Sequence, residues 1–330
     1  MANELKIVTA TPPGEEQGYI DCETDLEIGE ENDFELRMSL DDWDKSKLDY
    51  DFRIYALGTE YGGLVEDMCV QTKSNEIIWY GYTWRGLLTQ KVVEPPENED
   101  HLILNGELND AIRELIGDGF DNLFVVPKIN TGVVLKNWQV DRYVTLYDAI
   151  MKFLNANGYR LQIESKKDGT DFGYVSIQAV PVKDYSDTVR YDQDCHVDFN
   201  IRDYRRGINH LVCAGEGQNE ERVVLHLYVQ EDGSVGKTKY YAGLLERTAV
   251  YNFSSADMVQ LEEDGTKRLK ELQNYKSIDV TVEDMELELG DIIGGREQVT
   301  GTEIKKPIVR KILKIKDGKA EVEYKVKGDE

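Results

Sequence analysis

Residues 55–96 read YALGTEYGGLVEDMCVQTKSNEIIWYGYTWRGLLTQKVVEPP, and this stretch decides the fold class. It is rich in glycine and aromatic residues, and it alternates with period two where a helix would repeat every 3.6 residues. Gly62-Gly63 breaks the chain. Leu64, Met68 and Val70 then fall on one side of an extended segment, and Val65 and Cys69 on the other. Lys73-Ser74-Asn75 makes a polar turn, and the return run Ile77-Ile78-Trp79-Tyr80-Gly81-Tyr82-Thr83-Trp84 has the β-branched and aromatic content that strands favour. A second turn at Arg85-Gly86 leads to Leu87-Leu88 and Val92-Val93, and Pro95-Pro96 ends the unit. The expectation is a set of consecutive strands in a small antiparallel sheet or barrel. The stretch holds no nucleophile–base pair.

Upstream, the chain is acidic but patterned. Phe34, Leu36, Met38 and Leu40 alternate with Glu35, Arg37 and Ser39, which reads as a half-buried strand. Asp21, Glu23, Asp25, Glu27, Glu30, Glu31 and Asp33 lack the D-x-D-x-D-G spacing and terminal Glu of a calcium loop, so they read as a solvated or pore-facing surface. Downstream, Glu97-Asn98-Glu99-Asp100 marks a domain joint. Leu108, Ala111, Ile112, Leu115 and Ile116 form one face of a helix that stops at Gly117. A second helix starts at Thr145, with Asp148 as its capping-box partner, and ends at Asn157-Gly158. A hairpin follows, with Tyr159, Leu161 and Ile163 alternating, a turn at Lys167-Asp168-Gly169, and a return over 174–180.

Arg202, Arg205 and Arg206 make one basic spot, read as the entry to a strand at 208–214. Residues 223–229 continue the β-structure and are a candidate to pair back onto the N-terminal sheet. Ser254 is the expected cap of a third helix, whose inner stripe is Met258, Leu261, Gly265, Leu269 and Leu272. Gly265 costs about 1 kcal/mol of helix propensity, so it reads as a position of close approach. Strands at 277–282, 291–294, 304–315 and 320–326 close the chain, with Asp317-Gly318 as a hairpin turn. This tail is basic, through Lys305, Lys306, Arg310, Lys311, Lys314, Lys316, Lys319, Lys325 and Lys327. Opposite charge at the two ends suits packing between identical subunits, and alternate lysines also defend an exposed strand edge.

The totals narrow the function. At 330 residues the chain is long enough for two or three domains. With 64 acidic against 39 basic residues, the net charge of −25 argues against gripping duplex DNA through a general basic surface. No apolar run approaches the ~20 residues of a membrane span, and the N-terminus lacks the features of a signal peptide. Cys22, Cys69, Cys195 and Cys213 are far apart and read as buried free thiols of a soluble protein made in a reducing cytoplasm. His101, His196, His210 and His226 form no metal motif. There is no P-loop, no G-x-G-x-x-G and no G-x-S-x-G, and no carboxylate pair stands out for glycoside hydrolysis. No catalytic, cofactor-binding or metal residue is therefore nominated, and the expectation is a protein that is not an enzyme and takes no cofactor.

The order Gly58-Thr59-Glu60-Tyr61-Gly62-Gly63, a hairpin, Tyr80-Gly81-Tyr82-Thr83-Trp84-Arg85-Gly86-Leu87-Leu88, then Pro95-Pro96, resembles the N-terminal part of siphovirus tail-tip and baseplate hub proteins of phages and prophages of Gram-positive hosts. Near the other end, Leu287-Glu288-Leu289-Gly290-Asp291-Ile292-Ile293, residues 308–315, Asp317-Gly318 and Val322-Glu323-Tyr324 resemble the terminal hub barrel, and Tyr251, Asp257 and the Gly265 helix resemble the segment before it. The resemblance extends to the central hub of contractile tails and to the first part of type VI secretion spikes. It implies a β-rich α+β fold with two small antiparallel β-barrels joined by α+β segments. The corresponding divisions are 1–96 (with 200–235 as a candidate to complete it), 97–199, 200–275 and 276–330. It also implies a homo-trimer in the virion tail, assembled in the bacterial cytoplasm. That trimer would form a ring of six pseudo-equivalent barrels, adapting the six-fold tube to a three-fold tip.

The implied partners are the tail tube or distal tail protein, a tip or spike protein, and DNA passing without sequence-specific binding; no membrane insertion is expected. The candidate interface residues are Lys305, Arg310, Lys311, Lys314, Gly265 and Leu269. Larger relatives append a peptidase or lysozyme domain, whereas this sequence stops at Glu330 after the barrel-like region, so lytic activity is not expected. The alternatives are a glycan-binding module at the tail tip, with Trp79, Tyr80, Tyr82 and Trp84 as its aromatic platform, and a tail-associated cell-wall hydrolase.

Overall fold

The structure, a computed structural model, describes residues 5–169, 173–186, 197–282, 287–296 and 303–326. Two compact units emerge, one of residues 1–198 with 280–326 and one built on 199–279. The first unit opens with β1 (Val8–Ala10), β2 (Glu16–Tyr19), β3 (Glu23–Ile28), β4 (Asp33–Ser39), β5 (Arg53–Tyr55), β6 (Gly62–Gln71), β7 (Glu76–Thr83) and helix α1 (Trp84–Thr89). It continues through β8 (Ile103–Glu107), α2 (Leu108–Ile116), β9 (Phe124–Val125), β10 (Val134–Gln139), α3 (Leu146–Ala156), β11 (Tyr159–Lys167) and β12 (Gly173–Pro181). Strand β13 (Val197–Tyr204) leads into the second unit, which holds β14 (His210–Ala214), β15 (Val224–Val229), β16 (Val235–Gly236), β17 (Thr248–Asn252) and α4 (Met258–Leu272). Strand β18 (Tyr275–Val282) leads back to β19 (Ile292–Arg296), β20 (Glu303–Lys316) and β21 (Lys319–Val326).

The main sheet of the first unit contains the run β21-β20-β3-β4-β7-β6-β5-β1-β2, with antiparallel neighbours throughout. Strand β4 alternates as its sequence requires, with Phe34, Leu36 and Met38 inward. The opening stretch supplies the β6–β7 hairpin, but three local readings change. Gly62-Gly63 begins β6 and does not break the chain. A bulge between Val65 and Asp67 interrupts the alternation, so Val65 is buried while Cys69 is exposed on the far half of the hairpin. Arg85-Gly86 is not a turn. The two residues sit in α1, because the Thr83 hydroxyl accepts the Gly86 N–H and caps a helix where a further strand was expected. Gly81 is required by close approach, since a Cβ there would lie 1.9 Å from the Leu64 carbonyl oxygen and 2.7 Å from the Phe34 ring.

At its other end the sheet takes in the C-terminal strands. Leu313 lies opposite Leu26, and Lys314 opposite Asp25. Over residues 311–315 strand β20 is paired on both sides, by β3 and by β21. Its lysines therefore do not guard an open edge there, contrary to one reading of their alternation. On the rest of the first unit, α2 and α3 form where their apolar faces predicted them. The Thr145 hydroxyl accepts from the Asp148 N–H at 3.0 Å and donates to its carboxylate at 2.7 Å. Leu108, Ala111, Ile112, Ile150, Phe153 and Leu154 enter a single core with Trp84 and Leu88 of α1 and with Leu161 and Ile177 of the β11–β12 hairpin. That core is continuous across the exposed loop at 97–100. Strand β9 adds a short parallel pairing to β12.

In the second unit the strand order is β16-β15-β14-β17, with β14 and β17 parallel. The hydrogen-bonded neighbours of β15 are β14 and β16, so residues 224–229 do not extend the N-terminal sheet as expected. Helix α4 starts later than Ser254 suggested. Asp257 is the cap, and one of its carboxylate oxygens accepts the N–H groups of Val259 and Gln260, both at 2.9 Å. Leu261, Gly265 and Leu269 face the sheet, while Met258 at the first turn is exposed.

Candidate interface and the buried charges around it

The six nominated interface residues are placed in two units and in different environments. Gly265 and Leu269 belong to the second unit's own core: a Cβ on Gly265 would lie 2.6 Å from the Cys213 sulfur, and Leu269 is fully buried. The other four lie on β20. Lys305 pairs with Asp184 at 2.8 Å. With Ser186, it holds the Asp184 carboxyl down at about 2. Arg310 pairs with Glu27 and, at 3.3 Å, with Glu30. Lys311 is buried, its Nζ 3.1 Å from Glu288 Oε2 and 5.1 Å above the Tyr61 ring. Lys314 is exposed, 3.9 Å from Glu323.

The opposite charges of the two chain ends thus meet inside one chain. Acidic β3 lies against basic β20, and Lys316 reaches to 3.9 Å from Glu23. Such exposed pairs contribute only about 0–1 kcal/mol each. Glu27 differs from its acidic neighbours: it is buried against Arg310, where the sequence suggested a solvated carboxylate.

Below this surface lies a charge network that period and composition did not reveal. The side chains of Glu60 and Arg85 are almost completely buried and make a forked pair. Glu60 Oε1 accepts from Arg85 Nε, and Oε2 accepts from Nη2 at 3.1 Å. Arg85 Nη2 also donates to the Leu161 carbonyl at 2.8 Å. Burial alone would depress the guanidinium, but the Glu60 carboxylate outweighs it and the net shift is upward. Burial likewise opposes the charge on Lys311, and Tyr61, Glu288 and Glu60 outweigh it. The signal for these pairs was the spacing Glu60-Tyr61 to Trp84-Arg85 inside the quoted motif, whose polar residues no periodicity argument explained.

The second motif has an equally concrete basis. Asp291 Oδ1 accepts from Arg160 Nε at 2.8 Å and from the Lys183 N–H at 3.0 Å, and both side chains are buried. Gly290 before it has φ +88°, a conformation that side-chain-bearing residues rarely adopt. The Gly-Asp pair therefore anchors the α+β part of the first unit to β20 through Arg160 and the Ile308 backbone.

Other nominated features resolve simply. Trp79 and Trp84 are buried and Tyr80 and Tyr82 half-buried, so these four do not form an exposed aromatic platform. Trp79 is enclosed by Trp43 at 5.9 Å and Tyr50 at 5.3 Å between ring centroids. Arg205 pairs with Asp203 at 2.7 Å, while Arg202 and Arg206 lie over the Tyr204 ring. Among the described residues no group of three or more His, Cys, Asp or Glu side chains could hold a metal ion. No helix among them is long and apolar enough to cross a membrane. Cys22, Cys69 and Cys213 are free thiols; Cys69 is exposed where a buried thiol was expected, and Cys195 and His196 lie outside the described residues.

No family model and no curated protein matches the sequence. Solved structures do match the fold. A chain of the p2 virion baseplate in its activated conformation aligns with TM-score 0.52 at 12% identity, covering 99% of this chain and 100% of that one. A chain of the phage P2 baseplate in its activated conformation with Ca aligns with TM-score 0.50 at 11% identity, over 97% and 98%. A 43 kDa tail protein of prophage MuSo2 from Shewanella oneidensis gives TM-score 0.49 at 12% identity, over 98% of each chain. The chain therefore has a fold found in phage baseplates, over essentially its whole length.

Proposed function

We propose that this protein is a structural, non-enzymatic component of a phage or prophage tail, acting as the hub of the tail tip or baseplate. The observation that carries the reading is the end-to-end fold match to a p2 virion baseplate chain. In this reading three copies close a ring of two small barrels each around the channel, between the six-fold tube and a three-fold tip or spike. The heterologous contacts of such a ring repeat identically around the axis. The net charge of −25 keeps passing DNA from adhering. Because Arg310, Lys311 and Lys305 are engaged within their own chain, charge at the subunit contact falls to exposed groups such as Lys314, with strand pairing and apolar burial supplying most of the free energy.

The test combines the solution mass of the purified chain by light scattering with antibody labelling of native tails. A trimer, or label at the tail end of particles, is expected. A protein that stays monomeric at high concentration and is absent from purified tails would overturn the proposal. The glycan-binding alternative loses its platform, since Trp79 and Trp84 are interior.

A further inference from the structure

Four lysine or arginine side chains of the described residues are buried, and three have a carboxylate partner: Arg85 with Glu60, Arg160 with Asp291, and Lys311 with Glu288. Arg53 is the fourth. It is 9% exposed, and its Nη1 donates to the Gly173 carbonyl at 3.1 Å; no ion pair joins it to any described carboxylate. Burial lowers its pKa, with the Asp121 charge acting the other way. A buried guanidinium without a counter-ion is costly, so what lies in front of it matters.

In front of it is a partly open pocket of about 210 Å³, solvent at its mouth included, with interior room for about one water-sized group. Tyr55, Trp84, Leu123 and Val175 supply apolar walls. The Ser165 hydroxyl, also buried and also in the lining, accepts from Trp84 Nε1 at 3.1 Å and so keeps its own proton to give. Lys166 adds a second cation to the lining, next to Glu164 at 3.2 Å. The groups with donors to spare are thus an arginine fork and a hydroxyl.

We propose that this pocket is a binding site for a single carboxylate group, seated on Arg53 with Ser165 as the second donor. A planar carboxylate matches the guanidinium fork, and one of its oxygens fills the interior room. A phosphate would need room for further oxygens, and a sugar ring would not enter. The carboxylate comes either from an acidic side chain of a neighbouring polypeptide or from a small free acid. The assignment stands on the pocket alone and does not depend on the tail reading.

The Trp84 indole N–H, bonded to the Ser165 hydroxyl, is a built-in reporter. Its ¹H–¹⁵N signal, identified by its loss in Trp84→Phe, is followed on the intact chain during titration with sodium acetate. Parallel titrations use the side-chain carboxylate of N-acetylglutamate amide, and sodium chloride at matched ionic strength. A saturable shift with either carboxylate and not with chloride is expected. Stronger response to the glutamate derivative identifies a polypeptide source, and response to acetate alone a free acid. Arg53→Lys, which keeps the charge but not the fork, should weaken half-saturation by about tenfold or more. The proposal is overturned if neither carboxylate gives saturation by about 100 mM, a range that still detects a Kd of tens of millimolar. An equal shift with chloride (an adventitious ion only), or an unchanged response in Arg53→Lys, overturns it as well.

Discussion

Replacing Glu60 by Gln should be among the most destabilising single changes in the first unit. It leaves the Arg85 guanidinium, whose side chain is 1% exposed, with the Leu161 carbonyl but without its carboxylate. Breaking a buried pair by removing one partner costs about 3–5 kcal/mol, whereas replacing both by apolar groups is often close to neutral. With a urea m-value of roughly 3 kcal/mol/M, a loss of about 4 kcal/mol lowers the unfolding midpoint by about 1.3 M. Tryptophan fluorescence is the right assay because Trp43, Trp79, Trp84 and Trp138, the four in the chain, all lie in the first unit. The second unit then unfolds without contributing tryptophan signal. Glu60→Leu and Arg85→Met should each cost a similar amount, and the double mutant that combines these two substitutions should recover most of it, for a coupling energy above about 2 kcal/mol. Single losses under about 1 kcal/mol, or a double mutant equal to the sum of the singles, would refute the claim that these two buried charges are strongly coupled.

Three other outcomes are expected. Gly265→Val should destabilise the second unit by about 1–3 kcal/mol through overpacking against Cys213. The Cys213 thiol, which burial holds at about 11, should then become reactive to a thiol reagent at a lower urea concentration, and unchanged reactivity would count against the contact. Asp257→Ala should cost about 1 kcal/mol, read as earlier loss of helix α4 by circular dichroism, because two N–H groups lose their acceptor.

The third concerns pH. The Asp184 carboxyl at about 2 lies below its unfolded value of about 3.9, so its contribution is fully present above pH 4 and is lost as pH falls through about 2. Lys305→Ala should move the Asp184 titration upward, measurable by carboxyl NMR. No movement would mean that Ser186 alone sets the value.

The sequence by itself determined the elements whose signals are local. The alternation of Phe34, Leu36 and Met38 gave a strand, the apolar faces at 108–116 and 146–154 gave helices, and Thr145 with Asp148 gave a cap, because each depends only on neighbours within one or two turns. Gly265 could be read as a close approach, although its partner could not be named. The likeness of the motifs around Glu60–Arg85 and Gly290-Asp291 to phage tail proteins was also legible, and the fold match to a phage baseplate chain agrees with that coarser part of it.

Tertiary structure alone decided which distant segments meet. Whether β20 pairs with β3 of its own chain or faces another subunit is a matter of register between residues nearly 300 apart, and charge pattern is the same in both cases. The same limit hid the partners of Glu60, Lys311 and Asp291. It also misplaced Trp79 and Trp84, which composition alone cannot distinguish from an exposed platform. Arg53 is the sharpest case: one arginine in a three-residue strand gives no sequence signal, and only the surrounding packing shows that it is buried without a counter-ion.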